Sequence, residues 1–349
     1  MKKSVNHAII AFAVLGAMAA VPAFAAEGRT PIWEPVVIVN PGKYIVTRDI
    51  AAPAGPVIEI VVDNVDIDLN GFSLETGGAD PVITGGGLNI SIRNGVLLAG
   101  AVGISLQPAQ NVTIEDVKSH GSAGSGIELF DATGYALRRN HVLDCATIGI
   151  AVGGLAGTVS SGILEDNSTV RCQEGINIDD ASSTILKHNR VEATNGSFGI
   201  RVGNSFGVLL DRNTVQDAKA QGIWIEASFA CKLYNNVVLR SRGPGIDIAG
   251  TFDSLLLDNV VSQTEGDGMV IAGDRNHIQG NVLNANGVGA VMGYGLLIFG
   301  VDNVYRGNTA RGNTGPGGGA CGGAPATLDI CDVPAGSSSL GDNFMPFLL

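Results

Sequence analysis

The stretch "GIRVGNSFGVLLDRNTV" (199–215) opens with a glycine and an apolar–polar alternation, and it closes with an asparagine between polar and apolar residues. The same order returns 23 residues later in "GIWIEASFACKLYNNVV" (222–238). Such short alternating stretches are typical of half-buried β-strands and are too short for amphipathic helices. A repeat of this length indicates one structural unit stacked many times, so we predict a solenoid.

The repeat runs along most of the chain. Its glycine is followed by an apolar–x–apolar stretch at nine places, namely Gly103, Gly126, Gly149, Gly175, Gly199, Gly222, Gly245, Gly268 and Gly295. The asparagine motif recurs, sometimes with a looser flank, at Asn70, Asn94, Asn140, Asn167, Asn189, Asn213, Asn236, Asn259, Asn281 and Asn308. A leucine-rich repeat has a similar period but needs L-x-x-L-x-L before its asparagine, which excludes that fold.

A parallel β-helix fits this pattern. Three short strands per turn stack on the next turn at about 4.8 Å, so equivalent side chains lie above one another. An inward asparagine suits a turn because its amide donates to one neighbour and accepts from the other. We therefore predict an all-β protein, a parallel β-helix of about eleven rungs with an internal asparagine ladder.

These repeats resemble the right-handed parallel β-helix repeats of the pectate-lyase-like superfamily, and "VDIDLNGFSL" (65–74) and "SIRNGVLL" (91–98) are similar to the opening rungs of its secreted bacterial members. The resemblance covers roughly residues 36–345 and implies a right-handed solenoid. It implies no single activity, because the superfamily includes lyases, hydrolases, epimerases, phage tailspikes and proteins with no known reaction.

The ends of the chain predict export and caps. Residues 1–25 contain Lys2 and Lys3, an apolar run and the small-residue site Ala23-Phe24-Ala25, which together indicate a signal peptide; an uncleaved N-terminal anchor is the alternative. We assign residues 26–56 to an N-terminal cap, 57–310 to the β-helix and 311–349 to a C-terminal cap or tail. The protein is expected to be secreted or periplasmic, monomeric and without a membrane span after signal removal.

The net charge of the protein limits the kinds of ligand that it can bind. The formal net charge is −12, which makes nucleic acid an unsuitable ligand and repels anionic polymers unless cations bridge the two. All five cysteines belong to the exported part, where disulfides form. Cys321 and Cys331 bracket the tail and are expected to pair. Cys145 and Cys172 lie on successive rungs and form either a disulfide or a stack of buried thiols.

Alternation places two residues of each repeat on the outer face of the strand after the glycine. On the middle repeats these positions are polar or aromatic: Asn177, Asp179, Arg201, Trp224, Glu226 and Asp247. An indole offers a flat face to a sugar ring, while amides, carboxylates and guanidinium groups bind hydroxyls. We predict a polysaccharide site here, with Asn177, Arg201 and Trp224 binding substrate. The resemblance implies the same sheet, which carries the groove of polysaccharide-cleaving members.

Two reactions fit the predicted catalytic residues, Asp179, Glu226, Asp247 and Arg201. For a glycoside hydrolase, Asp179 and Glu226 are expected about 9.6 Å apart and Glu226 and Asp247 about 8 Å, near the range of inverting pairs. For a polysaccharide lyase, the resemblance implies carboxylates that hold Ca²⁺ against a uronate, with Arg201 taking the proton. Beyond this conditional Ca²⁺, no cofactor or metal site is predicted.

In two alternative interpretations, the outward residues of the middle repeats neither catalyse a reaction nor bind a ligand. Arg201 and its carboxylate neighbours form a simple surface ion pair worth under about 1 kcal/mol in one of them. In the other, the protein is a non-catalytic structural or adhesive rod. We also expect Phe206, Phe229 and Phe252, each seven residues after a repeat glycine, to form an aromatic stack within the core; a ligand platform is the alternative.

Overall fold

The computed structural model describes residues 28–154, 159–288, 293–313, 330–332 and 338–339. The predicted signal peptide, Cys321 and most of the C-terminal tail lie outside these ranges. So do parts of the two long connections, at 155–158 and 289–292. Every described element is a β-strand, and every strand pair is parallel, which confirms the predicted all-β parallel β-helix.

Thirteen strands form what we call the front sheet, in which each strand pairs with the strand one turn later. This sheet contains the glycine-led strands of the repeat. Its strands are Val36–Ile38, Ile58–Ile60, Ile83–Leu88, Ile104–Gln110, Ile127–Phe130, Ile148–Gly153, Glu174–Asp179, Ile200–Gly203, Ile223–Glu226, Ile246–Ala249, Met269–Ala272, Leu296–Ile298 and Ile330–Asp332.

The other two sides of the solenoid belong to one 24-stranded sheet. One side comprises Thr30–Ile32, Gly42–Val46, Val65–Asp68, Ile90–Ala99, Thr113–His120, Ala136–Arg138, Ile163–Glu165, Ile185–Lys187, Leu209–Asp211, Lys232–Tyr234, Leu255–Leu257, His277–Gln279, Val304–Arg306 and Ser338–Ser339. The other side begins with Ile50–Ala52 and Ser73–Thr76 and shares the two long strands, Ile90–Ala99 and Thr113–His120. It continues with His141–Leu143, Ser168–Val170, Arg190–Glu192, Thr214–Gln216, Val237–Leu239, Val260–Ser262, Val282–Asn284 and Thr309–Arg311.

Two further short strands, Val159–Ser160 and Ala181–Ser182, pair in parallel and form a separate two-stranded sheet. Parallel pairing begins before residue 57, because Val36–Ile38 pairs with Ile58–Ile60. The segment assigned to an N-terminal cap therefore already contributes strands to the solenoid. Among the described residues, no helix has the length and hydrophobicity needed to cross a membrane.

The front sheet has the register that the repeat spacing predicts. Ile200 pairs with Ile223, and Ile223 with Ile246, so equivalent residues lie directly above one another. These three isoleucines are fully buried in the core. The repeat glycine is needed where the chain turns into the core: a Cβ on Gly199 would overlap Val215 Cγ1 and lie 2.6 Å from the Gly222 carbonyl oxygen.

The asparagine ladder lies at the turn between the other two sides. The residue before each ladder asparagine bends the chain with a positive φ, as at Arg212 (53°). Asn213 then donates through its backbone N and Nδ2 to Asn236 Oδ1, both at 3.0 Å, and Nδ2 also donates to the Leu186 carbonyl. The same bonds link Asn140, Asn167, Asn189, Asn213, Asn236, Asn259, Asn281 and Asn308.

Two predicted ladder members lie elsewhere. Asn70 and Asn94 are exposed and have positive φ values of 54° and 61°, so they occupy the bend position and not the inward one. On the rung of Asn94 and on the next one, Gly95 and Val117 take the inward place, and the Val117 backbone N donates to Asn140 Oδ1. The ladder therefore begins at Asn140.

The three phenylalanines form the predicted column, but their predicted place in the core is wrong. Phe206 and Phe229 are 60% and 47% exposed, so the stack lies outside the core. Ser205 and Ser228, immediately before them, are buried and form their own inward hydrogen bond from Ser205 N to Ser228 Oγ. Because neighbouring residues of an extended segment face opposite sides, an inward serine places the next residue outward.

The cysteine pair on successive rungs is a disulfide. Cys145 and Cys172 are bonded, with their Cα atoms 4.6 Å apart. Cys331 is also disulfide-bonded, and Cys321, the partner expected for it, lies outside the described residues. Cys231 is a free thiol, and burial raises its pKa to about 11.

Candidate functional site

The predicted outward residues form one continuous column on the front sheet. Asn177 pairs with Arg201, Arg201 with Trp224, and Trp224 with Asp247, each one turn apart. A second column places Gly203 between Asp179 and Glu226. Since their strand neighbours point into the core, all six predicted site residues lie on the outer face and are brought together by the register.

Arg201 is the centre of this face. Its Nε donates to Glu226 Oε1 at 2.8 Å, and its second terminal nitrogen, Nη2, also donates to that oxygen. The other terminal nitrogen donates to Asn177 Oδ1 at 3.0 Å and Asp179 Oδ2 at 3.2 Å. Burial opposes the charge of Arg201, but the hydrogen bonds and charges of Glu226 and Asp179 outweigh it and raise its pKa. The guanidinium therefore stays protonated.

Trp224 is placed on this face but is half-buried and not freely exposed. Its ring packs against Phe198, with centroids 5.9 Å apart and planes tilted by 55°. The Arg201 guanidinium carbon lies 5.6 Å from the indole centroid, within the range of a cation–π contact. Trp224 Nε1 is buried and donates no hydrogen bond in this structure. The indole therefore lines the site through packing contacts, and less of its face is accessible to a ligand than the sequence predicts.

A third column at the edge of the front sheet was missed. It is formed by residues that immediately precede the repeat glycines, and on the middle turns it includes Glu174, Phe198, Gln221 and Asp267. Gln221 Nε2 donates to Asp247 Oδ2 at 3.4 Å, and the Tyr294 backbone N donates to Asp267 Oδ1 at 2.6 Å. The glycine turns inward and interrupts the strict alternation, so a period of two assigns these residues to the wrong side. Their position before every repeat glycine was the available signal.

Burial changes the acidity of this face. Desolvation raises the pKa of Asp247, and the nearby charge of Glu226 raises it further, while the Gln221 hydrogen bond opposes the shift. Desolvation likewise raises the pKa of Asp267 and of Glu174; the Arg201 charge acts in the opposite direction on Glu174. The four strands that carry the site contain four acidic residues and one basic residue, Arg201. The face is therefore acidic.

A cavity of about 490 Å³ continues the site toward the N-terminus. It shares Asn177 and Asp179 with the Arg201 network. Further lining residues with polar or aromatic side chains are Gln107, Glu128, Phe130, Asp131 and Asp180. Glu128 and Phe130 belong to the same two outward columns, but they lie two turns before the cluster of polar residues that directed the prediction. The cavity and the network form one surface, which we call the front groove.

Geometry bears on both predicted reactions. A hydrolytic pair needs the scissile bond and a water between its carboxylates. The space between Asp179 and Glu226 instead holds the Arg201 guanidinium, which bonds both. For elimination, a base has to lose its proton, whereas the contacts of Arg201 favour its protonated form. The roles of these residues stay predictions; of the three predicted catalytic carboxylates, Asp247 is the one whose pKa burial raises.

The conditional Ca²⁺ does not fit the front groove. Ca²⁺ takes six to eight oxygen ligands, commonly including several carboxylates. Asp179 and Glu226 already bond Arg201. Among the described residues, the one group of three metal-ligating side chains lies elsewhere, at Glu165, Asp166 and His188. Glu165 accepts a hydrogen bond from Lys187 Nζ at 3.2 Å, so that surface group is explained by its ion pair.

Comparisons with known proteins agree with this architecture. The family model described as right handed beta helix region matches residues 60–191 and 102–260, which together exceed half of the chain. No curated protein matches the sequence. The likeness to solved structures below is at low sequence identity and concerns the fold.

Two groups of solved structures are similar over most of the chain. The periplasmic alginate epimerase AlgG has a TM-score of 0.64 at 14% identity, covering 88% of this chain and 80% of its own. The A-module of the Azotobacter vinelandii mannuronan C-5 epimerase AlgE4 has a TM-score of 0.52 at 14% identity, covering 87% of this chain and 86% of its own.

Proposed function

We propose that this chain, which belongs to the right-handed β-helix family, binds a neutral polysaccharide along its front groove. The observation that carries the proposal is the joining of the Arg201 network and the 490 Å³ cavity into one acidic surface. Successive turns repeat at about 4.8 Å, so the groove offers equivalent positions in a line. Such a line suits a chain of similar units better than a single small molecule.

The chemistry of the lining suits sugars. Asp179, Asp180 and Asn177 offer acceptors and an amide for hydroxyl groups. Phe130 is 36% exposed at the cavity and offers an apolar face to a sugar ring. The similar structures AlgG and AlgE4 are named as epimerases of alginate and mannuronan, which supports a polysaccharide as the class of ligand.

The charge of the groove favours a neutral polymer over a polyuronate. A polyuronate carries a carboxylate on each sugar and needs cations or basic side chains to bind. Here the basic residue of the four site strands, Arg201, is already held by Glu226 and Asp179. The remaining carboxylates would repel an anionic chain.

Hydrolysis is the second candidate function, and Asp247 is the observation that favours it. A general acid needs a raised pKa so that it holds a proton at neutral pH. Desolvation raises the pKa of Asp247, which is the direction that a general acid needs, and Asp247 lies one turn from Trp224. In this mechanism Asp247 protonates the leaving oxygen, and Glu226 activates water after Arg201 releases it. Product analysis with Asp247→Asn and Glu226→Gln separates an enzyme from a binding protein.

Export is part of the proposal. We propose that the predicted signal peptide directs the protein to the periplasm or out of the cell, and the Cys145–Cys172 disulfide supports an oxidising compartment. We propose a monomer that meets its polysaccharide there. The contrasting role is a rod with no ligand in its groove.

A glycan array tests the proposal. It compares the wild type with Asp179→Asn, which removes a carboxylate shared by the cavity and the Arg201 network. Asp211→Asn is the matched control, because Asp211 lies on another side of the solenoid. We expect binding to neutral glycans that the first substitution abolishes and the control retains. Binding to no glycan, or to uronate polymers alone, would refute the proposal.

A further inference from the structure

A second aromatic surface lies beside the front groove. Phe206 pairs with Phe229 and Phe229 with Phe252, so the three rings occupy one column on three successive turns. The Phe229 and Phe252 rings are stacked, with centroids 5.4 Å apart and planes 25° apart. We call this column the phenylalanine stack.

The backbone holds these rings outside the core. The residues immediately before them, Ser205, Ser228 and Thr251, are at most 2% exposed. The hydroxyl groups of these residues bond the backbone within the wall of the solenoid, as in Ser228 Oγ to the Glu226 carbonyl at 2.7 Å. A shift of one residue would bury the phenylalanine rings and expose the serine and threonine hydroxyl groups. The register of the strands therefore fixes the rings on the outer side.

The column is apolar on these three turns and polar before them. Its preceding positions are Thr133, Ser160 and Ser182, which are paired in the same line. At the other end, the Arg275 guanidinium carbon lies 5.7 Å from the Phe252 centroid and is fixed by two bonds to Asp253, at 2.8 and 2.9 Å. Phe206 and Phe229 are exposed and Phe252 is half-buried, so the three rings form one apolar patch with polar neighbours at both ends. Contiguous apolar patches rimmed by polar residues mark binding surfaces.

The patch shares its turns with the front groove. Phe206, Phe229 and Phe252 each follow a residue of the groove column by five positions, after Arg201, Trp224 and Asp247. At the bend between the two columns lie Asn204, Ala227 and Gly250, which are exposed. The phenylalanine stack therefore lies on the same three turns of the solenoid as Arg201, Trp224 and Asp247 of the front groove.

We propose that the phenylalanine stack is a second glycan-binding surface, which takes the apolar face of a flat β-1,4-linked polysaccharide chain lying along the solenoid axis. The class of ligand rests on the proposed function of the front groove; the site itself does not. Equatorial hydroxyl groups leave the faces of such a chain apolar, and rings repeating once per turn contact successive sugars. Nucleic-acid bases also stack on aromatic rings, but the net charge of −12 opposes that ligand.

Native affinity electrophoresis in gels containing hydroxyethyl cellulose tests this surface. The double variant Phe206→Ser/Phe229→Ser is compared with Phe299→Ser, whose ring is 48% exposed but lies off the stack. We expect the double variant to bind about tenfold more weakly and the control to match the wild type. The double variant Phe206→Trp/Phe229→Trp keeps aromatic faces and should retain binding, which separates ring stacking from folding.

The outcomes distinguish the two sites. Retardation of the serine variant equal to that of the wild type overturns the second surface, whereas loss in Asp179→Asn still supports the front groove. A wild type that binds neutral glycans on the array but not hydroxyethyl cellulose also overturns it. If the serine variant changes the oligomeric state in size-exclusion chromatography, the stack joins copies of this chain, and the glycan proposal is wrong.

Discussion

Arg201 donates through Nε to Glu226 Oε1 at 2.8 Å, and the two residues lie in adjacent columns on successive turns of the front sheet. The same guanidinium bonds Asp179 on the preceding turn. One cation therefore holds two carboxylates of the groove in place. This arrangement ties the acidic residues of the groove to one another through a single guanidinium.

Removing this cation should destabilise the protein. Arg201→Met leaves two half-buried carboxylates facing each other, and we expect the free energy of unfolding to fall by about 2 kcal/mol in urea titrations. The matched control is Arg240→Met, because Arg240 forms an exposed two-bond pair with Asp217 and should change stability much less. The triple variant Arg201→Met/Asp179→Asn/Glu226→Gln should recover most of the loss. Equal effects of Arg201→Met and Arg240→Met would contradict the central role of Arg201.

The buried aspartate predicts a pH dependence of defined sign. Burial raises the folded-state pKa of Asp247, so the folded protein binds more protons than the unfolded chain between the ordinary and the raised pKa. Stability contributed by this group therefore falls as the pH rises through that interval. Asp247→Asn should be more stable than the wild type at pH 8, and the difference should vanish below the ordinary pKa of aspartate.

Asp217→Asn is the control with the opposite sign. Hydrogen bonds from Arg240 lower the pKa of Asp217, so its substitution should destabilise the protein above the ordinary aspartate pKa. That difference is lost as the pH falls through the lowered folded-state value. Thermal unfolding from pH 3 to 8 measures both variants. Parallel curves for Asp247→Asn and the wild type would show that Asp247 is not desolvated.

The asparagine ladder should be a stability element. Asn236 Oδ1 accepts from the backbone N and Nδ2 of Asn213, and Asn236 Nδ2 donates to the Leu210 carbonyl at 3.0 Å. Asn236→Ala leaves these buried groups without partners, at a cost of about 3 kcal/mol. Asn195→Ala, at an exposed turn, is the control and should change stability little. Similar unfolding midpoints for both variants would contradict the ladder.

The disulfide should stabilise the middle of the solenoid. It closes a loop of 27 residues, for which restriction of the unfolded chain predicts about 3.5 kcal/mol. The double variant Cys145→Ser/Cys172→Ser should melt at a lower temperature, and dithiothreitol should shift the wild type toward it. Cys231→Ser serves as the control, because that thiol is free. If the Cys145→Ser/Cys172→Ser variant melted at the same temperature as the wild type, the disulfide would have no stabilising role.

The repeat spacing is sufficient to predict the parallel β-helix, its inward isoleucines and the neighbours of Arg201. The spacing works because identical strands must stack in register. It fails where the chain bends. Glu174 and Asp267 reach the outer face because the following glycine turns inward, and Phe206 faces water because Ser205 occupies the inward place. Neither bend is visible as a period of two.

The half-burial of Trp224 also could not be predicted from the sequence. Alternation predicts its side of the sheet but not its contacts with Phe198 and the Arg201 guanidinium. Phe198 precedes its repeat glycine, so its placement depends on the same bend. Packing between columns is a tertiary property that no single repeat contains.

The fluorescence of Trp224 tests the central claim most directly. The chain has two tryptophans, and Trp33→Phe leaves Trp224 as the reporter within the groove. Titration uses neutral hexasaccharides of glucose, mannose and xylose, and hexauronates from alginate and pectin. We predict a saturable emission change with at least one neutral sugar, no change with the uronates, and loss of the response in Asp179→Asn. A response to uronates alone, or no response to any of them, would contradict a neutral polysaccharide in the front groove.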